Sequence, residues 1–298
     1  MAFIRPDLLR QCLDNLSAIK PSILYISIDG PRNSVEENLV SECKSIALDP
    51  GWDCEVVPLF YDNNVGLVEC FVNAMNRLFS EHEFGIFLED DILLSPTFGD
   101  FANEIFLRFR DDHRVGHINA SNFIPKYEKS NNYSYYFSQY SHVWGFGTWK
   151  RMWDKYDLTM KEWKNSNQKR LLKDFCFSWR ERIGTKKMFD LHCENSDPWA
   201  CDYQWQFCLL QNKAFCITPA KNMSLNIGFD RHDSTHTFGD NPFASPLRDI
   251  EFPIIHRKDI VRSTDYDRKL SQKMCPSHFK FYLDRFEGKF RKFLKNKS

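Results

Sequence analysis

Four short apolar runs alternate with amphipathic segments over the first ninety residues, and this alternation most restricts what the chain can fold into. The runs are "AFI" (2–4), "SILYISIDG" (22–30), "CEVVPLF" (54–60) and "FGIFLED" (84–90). Between them "PDLLRQCLDNLSAI", "VEENLVSECKSIAL" and "LVECFVNAMNRLFS" repeat apolar residues at helical spacing. Strands apolar on both faces and separated by helices predict a parallel sheet covered on both sides. In such sheets ligands bind at the carboxyl ends of the strands. Asp29 ends the second run and Glu89, Asp90 and Asp91 end the fourth, so all four are expected on one edge.

Beyond residue 95 the pattern is richer. Residues 96–112 read as a helix and 114–122 as a strand with a loop. Residues 133–157 form an aromatic-rich stretch leading into a helix, 161–200 is helical with turn signals, 214–228 is strand-like and 229–242 is loop. The expected organisation is a nucleotide-binding half over about 1–120, an acceptor half over about 121–245, and an extension over 246–298. That extension ends in Phe279, Tyr282, Phe286, Phe290 and Phe293 interleaved with lysines and arginines, a basic amphipathic pattern suited to an anionic membrane surface through 277–298.

Charge excludes one class of partner. Lys+Arg and Asp+Glu are 40 each, so no net field favours nucleic acid. No apolar run is long enough to span a bilayer and no signal-peptide pattern is visible, so a cytoplasmic location is expected, with peripheral contact on the inner face of the membrane through the last residues. Ten cysteines without a CxxC pair read as reduced, mostly buried residues.

Three carboxylates after an apolar strand need a cation. A hard divalent ion such as Mn²⁺ or Mg²⁺ is often held by one or two protein carboxylates together with substrate phosphates. On an extended strand Glu89 and Asp91 would face one way and Asp90 the other, dividing the work of the cluster.

The order "RPDLLRQCL…SIDG…FLEDDILLSPTFGDF…WGFGTW…W" resembles the GT-A class of sugar-nucleotide-dependent glycosyltransferases. Within that class it is similar to the Golgi N-acetylglucosaminyltransferases that initiate complex N-glycans and to bacterial polysaccharide-assembly relatives. The similarity covers about the first 160 residues and extends more loosely to about residue 240. It implies an α/β, Rossmann-like fold with a mostly parallel sheet flanked by helices and a decorated C-terminal half. It also implies a nucleotide-sugar donor, UDP favoured, and a saccharide or lipid-linked saccharide acceptor. By the same resemblance Arg5 meets the diphosphate, Asp29 the base, Glu89 and Asp90 the sugar and ribose, and Asp91 the metal. Trp144 and Gly145, within "HVWGFGTW", surround the transferred sugar.

An inverting transferase also needs a general base opposite the leaving diphosphate. "DPWACDYQWQF" offers Asp197 and Asp202, and Asp202 resembles the family's base, although Cys201 stands where the family has tryptophan. In the late loop His236 is a candidate metal ligand and Arg231 a candidate phosphate clamp, as such loops supply in many GT-A enzymes. The expected activity is hexosyl or N-acetylhexosaminyl transfer. Two alternatives share the fold: a catalytically silent glycan- or nucleotide-sugar-binding protein, and a sugar-1-phosphate nucleotidyltransferase. The second is disfavoured by the lack of a glycine-rich loop in "FIRPDLLRQC".

Overall fold

The computed structural model describes residues 1–125, 127, 132–194, 200–229, 231, 241 and 243–275. Its first half follows the apolar periodicity. The helix α1 (Pro6–Leu16) starts on a proline whose fixed φ suits the first helical turn, and it buries Leu8, Leu9, Cys12, Leu13 and Leu16. The strand β1 (Ile23–Ile28) leads to α2 (Ser34–Leu48), where the Asn33 side chain accepts from the Val35 and Glu36 amides. Then come β2 (Glu55–Phe60), α3 (Leu67–Glu81) and β3 (Phe84–Phe87). β1 and β2 pair in parallel.

The order continues with β4 (Ile92–Leu94), α4 (Phe98–Arg108), β5 (Val115–Asn119), β6 (Tyr135–Ser138) and β7 (Phe146–Trp149). The short α5 (Lys150–Trp153), α6 (Gln168–Phe175), α7 (Trp179–Glu194) and α8 (Asp202–Gln211) lead to β8 (Phe215–Pro219), β9 (Ser224–Asn226) and α9 (Thr264–Met274). The aromatic-rich stretch, expected to run into a helix, instead supplies two strands first. Tyr135–Ser138 and Phe146–Trp149 are buried throughout, and aromatic side chains on both faces suit interior strands.

The class is α/β, but the principal sheet is mixed. Its order is β3-β7-β5-β8-β6, and of its four pairings only β5–β8 is parallel. β7 is the reason: it inserts antiparallel between β3 and β5, which themselves run the same way. A separate two-stranded ladder joins β4 to β9 antiparallel. The opening "AFI" is reduced to a single parallel bridge, Ala2 to Ile28.

Phe98, Phe101, Ile105 and Phe106 of α4 pack with Leu9, Leu13, Ile28, Ile118 and Trp149 in the main core. Residues 246–275 continue onto this body: Ile250 and Ile254 join the core, and Asp267 of α9 accepts from Ser138 Oγ at 2.6 Å and the Gln139 amide at 3.1 Å. All ten cysteines are free thiols. No helix among the described residues is long and apolar enough to cross a membrane. The basic pattern at 277–298 lies outside the described residues.

Candidate functional site

The three carboxylates come one residue after β3, but they do not prolong it. The chain turns at Asp90 and Asp91, closed by the Ile92 amide donating to the Glu89 carbonyl at 3.2 Å. The strand alternation expected for the triplet is therefore lost, because a turn rotates successive side chains out of the two-residue period. Asp90 and Asp91 both reach Arg5. Arg5 Nε donates to Asp90 Oδ2 at 3.2 Å, Nη2 donates to Asp90 Oδ1, and Nη1 donates to Asp91 Oδ2 at 3.1 Å.

Arg5 stands where the first bridge gives way to α1, so a cation just before α1 meets the carboxylates that come after β3. Three carboxyl groups share one guanidinium there. Asp90 and Asp91 are buried, and burial holds the Asp90 carboxyl above its ordinary range despite Arg5. Glu89 is pushed up to about 8, first by burial and then by repulsion from Asp91 and Asp90. A bound cation would oppose that repulsion.

A second segment closes on Asp91 from β9. The Ile227 amide donates to the Asp91 carbonyl at 2.8 Å, and Asn226 Nδ2 lies 3.5 Å from Asp91 Oδ1. Gly228 follows, and a Cβ there would stand 2.3 Å from Asp91 Oδ2. Only glycine lets the strand approach the carboxylate so closely. Asn226 and Gly228 were not singled out in the sequence; their one signal is an Asn-x-Gly directly after an apolar strand, which is common in turns.

The "HVWGFGTW" segment covers the same turn. Gly145 adopts φ +75°, a conformation other residues rarely take, and a Cβ there would meet Leu88, Leu94 and Ala120. Trp144 is partly exposed and meets Phe123, Phe229 and Phe243 edge-on, with ring centroids 5.0, 5.6 and 6.0 Å away. Behind it His142 stacks on Phe123 at 4.2 Å.

Asp29 ends β1 as expected, and its carboxylate is fully engaged within the protein. Oδ1 accepts from the Gly30 and Val65 amides, both at 2.8 Å, while Oδ2 accepts from Asn64 Nδ2 at 2.8 Å and the Gly66 amide at 2.9 Å. Asp29 thereby ties the end of β1 to the loop between β2 and α3.

Asp202 is the first residue of α8, and Cys201 precedes it as the cap. The Cys201 thiol is raised well above its usual range by burial, then by Asp202 and by Glu89, so the start of α8 approaches the acidic turn. Arg231, after β9, pairs with Asp7 in the first turn of α1, at 2.8 Å from Nη1 to Oδ2. His236 and Asp197 lie outside the described residues. Among the described residues, no group of three or more His, Cys, Asp or Glu side chains is gathered into a ready-made metal cage.

Arg5, Glu89, Asp90 and Asp91 are thus assembled by neighbouring segments, with Gly145 packed on Leu88 and Leu94 at either side of the acidic turn and Asp7–Arg231 beside α1. Comparison with protein-family models and with curated proteins finds no match.

Proposed function

We propose that the protein is a metal-dependent glycosyltransferase of the GT-A type, moving a sugar from a nucleotide donor to a saccharide or lipid-linked saccharide hydroxyl with inversion. One observation carries the reading. Met1–Ala2 bonds both to β1 and to the residue after β3, so the carboxyl ends of these two strands meet there, and the crevice outside such strand ends is where open α/β sheets bind ligands. Arg5, Asp29 and the Glu89–Asp91 turn sit at the strand ends there.

The residues present fit a divalent cation of the Mn²⁺ or Mg²⁺ kind. Asp91 would hold it, since a single carboxylate plus diphosphate oxygens suffices for such ions, and the Asn226 Nδ2 donor beside Oδ1 would orient that carboxylate. Bound there, the ion would supply charge neutralisation to a leaving diphosphate. Arg5 then has two roles: it holds Asp90 and Asp91 in place, and it offers a guanidinium to phosphate oxygens. Trp144 offers a partly exposed ring to the sugar, and Asp202 would take the proton of the attacking hydroxyl.

Calorimetric titration with UDP, GDP and CDP, with and without Mn²⁺, tests the reading alongside Asp91→Ala. Metal-dependent binding of one nucleotide, lost in the variant, is the expected result. Absence of nucleotide binding under every condition would leave the acidic turn a structural feature and end the proposal.

A further inference from the structure

The sheet is open in its interior. β1 with β2 forms one sheet and β3 begins the other, and no described strand lies between β1 and β3 along most of their length. Among the described residues, Met1 and Ala2 are what spans the two. The Met1 nitrogen donates to the Leu88 carbonyl at 2.9 Å, the Ala2 amide to the Ser27 carbonyl at 2.9 Å, and the Asp29 amide to the Ala2 carbonyl at 3.3 Å. Two strands bridged in this way stand two strand spacings apart, about 9.6 Å.

Those bonds also fix which main-chain groups turn into the gap. Ser27 and Leu88 face it, so two residues back along each strand Tyr25 and Ile86 face it too. The β3–β7 ladder agrees: the Lys150 amide donates to the Glu83 carbonyl, which puts Gly85 and Phe87 on the β7 side and Ile86 on the other. The gap holds a cavity of about 100 Å³, lined among others by Leu13 of α1, Leu24 of β1, Met75 and Leu78 of α3, Ile86 and Leu88. Ile86 is 37% exposed, whereas β6 and β7 are buried at every position. β3 and β6 are the two edges of the five-stranded sheet, and of the two β3 is the one left wet.

We propose that this gap receives one extended strand of about four residues, parallel to β1 and β3 and running directly into Met1, with apolar side chains toward both α1 and α3. Continuity with Met1 is favoured over a strand from a second copy on three grounds. Met1 and Ala2 already have the direction and register of such a strand. A backbone prolonged before Met1 in that direction would lie between β1 and β3, and an amide nitrogen at Met1 would donate to Leu88 as the present nitrogen does. The consequence reaches the candidate site, because the strand would end at Arg5 and fix the segment that carries it. The inference does not depend on the glycosyltransferase reading.

The test compares the 298-residue chain with three forms extended before Met1 by five residues: Val-Ile-Val-Ile-Val, the same with its central residue replaced by proline, and Gly-Ser-Gly-Ser-Gly. Thermal midpoint, amide exchange at Tyr25 and Ile86, and oligomeric state are read for each. The apolar extension should raise the midpoint by about 5 °C or more and slow exchange at both amides at least tenfold, as a monomer. The proline and Gly-Ser forms should do neither, since proline lacks the amide hydrogen a ladder needs. Equal midpoints and exchange in all three extended forms would overturn the proposal. So would a concentration-dependent dimer of the unextended chain in which both amides are already protected.

Discussion

Arg5 and Asp90 meet as a fork, Nε to Oδ2 at 3.2 Å and Nη2 to Oδ1, between two chain segments 85 residues apart. Asp90 is 3% exposed, so its charge is tolerable only with that partner. Removing one member of a buried pair strands the other, which costs about 3–5 kcal/mol. Arg5→Ala should lower the stability measured by urea denaturation by that order. Adding Asp90→Asn to it should restore part of the loss, because the stranded charge is then gone. Arg5→Lys, which keeps the charge without the fork, should lose less than Arg5→Ala.

Gly228 gives a steric prediction. A methyl group at this position would sit 2.3 Å from Asp91 Oδ2, so Gly228→Ala must displace either the carboxylate or the strand after Asn226. On the proposed function, Mn²⁺-dependent nucleotide affinity should fall at least tenfold, while thermal stability changes less than for Arg5→Ala. Calorimetry with Mn²⁺ and the nucleotide it selects, together with a melting curve, separates the two effects. Unchanged affinity would remove Asp91 from the metal role.

The first ninety residues were legible because each element there carries its own signal. Pro6 starts a helix, Asn33 caps one, and β1 and β2 are apolar runs between amphipathic segments. β6 and β7 were not, since their aromatic residues suit an interior strand and a buried helix alike, and only pairing partners far along the chain decide between them. The same applies within the site. Glu89, Asp90 and Asp91 announce themselves as a charged triplet, whereas the turn that points two of them at Arg5 depends on a contact 85 residues distant. Asn226 and Gly228 reach Asp91 through the β4–β9 ladder, which no local pattern encodes.

Two of the buried histidines contribute to the acid limb of stability. His117 donates or accepts between Asn119 Oδ1 at 2.8 Å and Trp205 Nε1 at 2.9 Å, and His142 Nδ1 lies 2.9 Å from Ser121 Oγ. Trp205 N–H can only donate, so His117 Nδ1 is the acceptor and Nε2 carries the proton. Burial lowers His117 to about 3 and His142 to about 4. Each stays neutral in the fold while the unfolded chain takes up a proton below about 6.5. Their stabilisation is therefore complete above that value and is lost as pH falls toward 4, by about 1.4 kcal/mol per unit for each group. Glu89 works in the opposite direction, being protonated in the fold up to about 8. The difference between variant and parent isolates the histidine: His142→Asn should flatten the stability–pH slope between pH 6 and 4 by about 1.4 kcal/mol per unit, measured by urea titration at each pH.

Asp29 distinguishes a structural carboxylate from a recognition residue. Its oxygens accept four hydrogen bonds from Gly30, Asn64, Val65 and Gly66, and a carboxylate offers about that many acceptor sites. Asp29→Asn keeps one oxygen but turns an NH₂ group toward donors, so at least one backbone amide loses its partner. Hydrogen bonds to a charged group contribute about 1.5–3 kcal/mol, and a stability loss of that order is the expected result by urea denaturation. Exchange should quicken at the Val65 and Gly66 amides, and any loss of nucleotide affinity should follow the loosening of this loop. Unchanged stability and exchange together with lost nucleotide binding would instead return Asp29 to direct contact with the base.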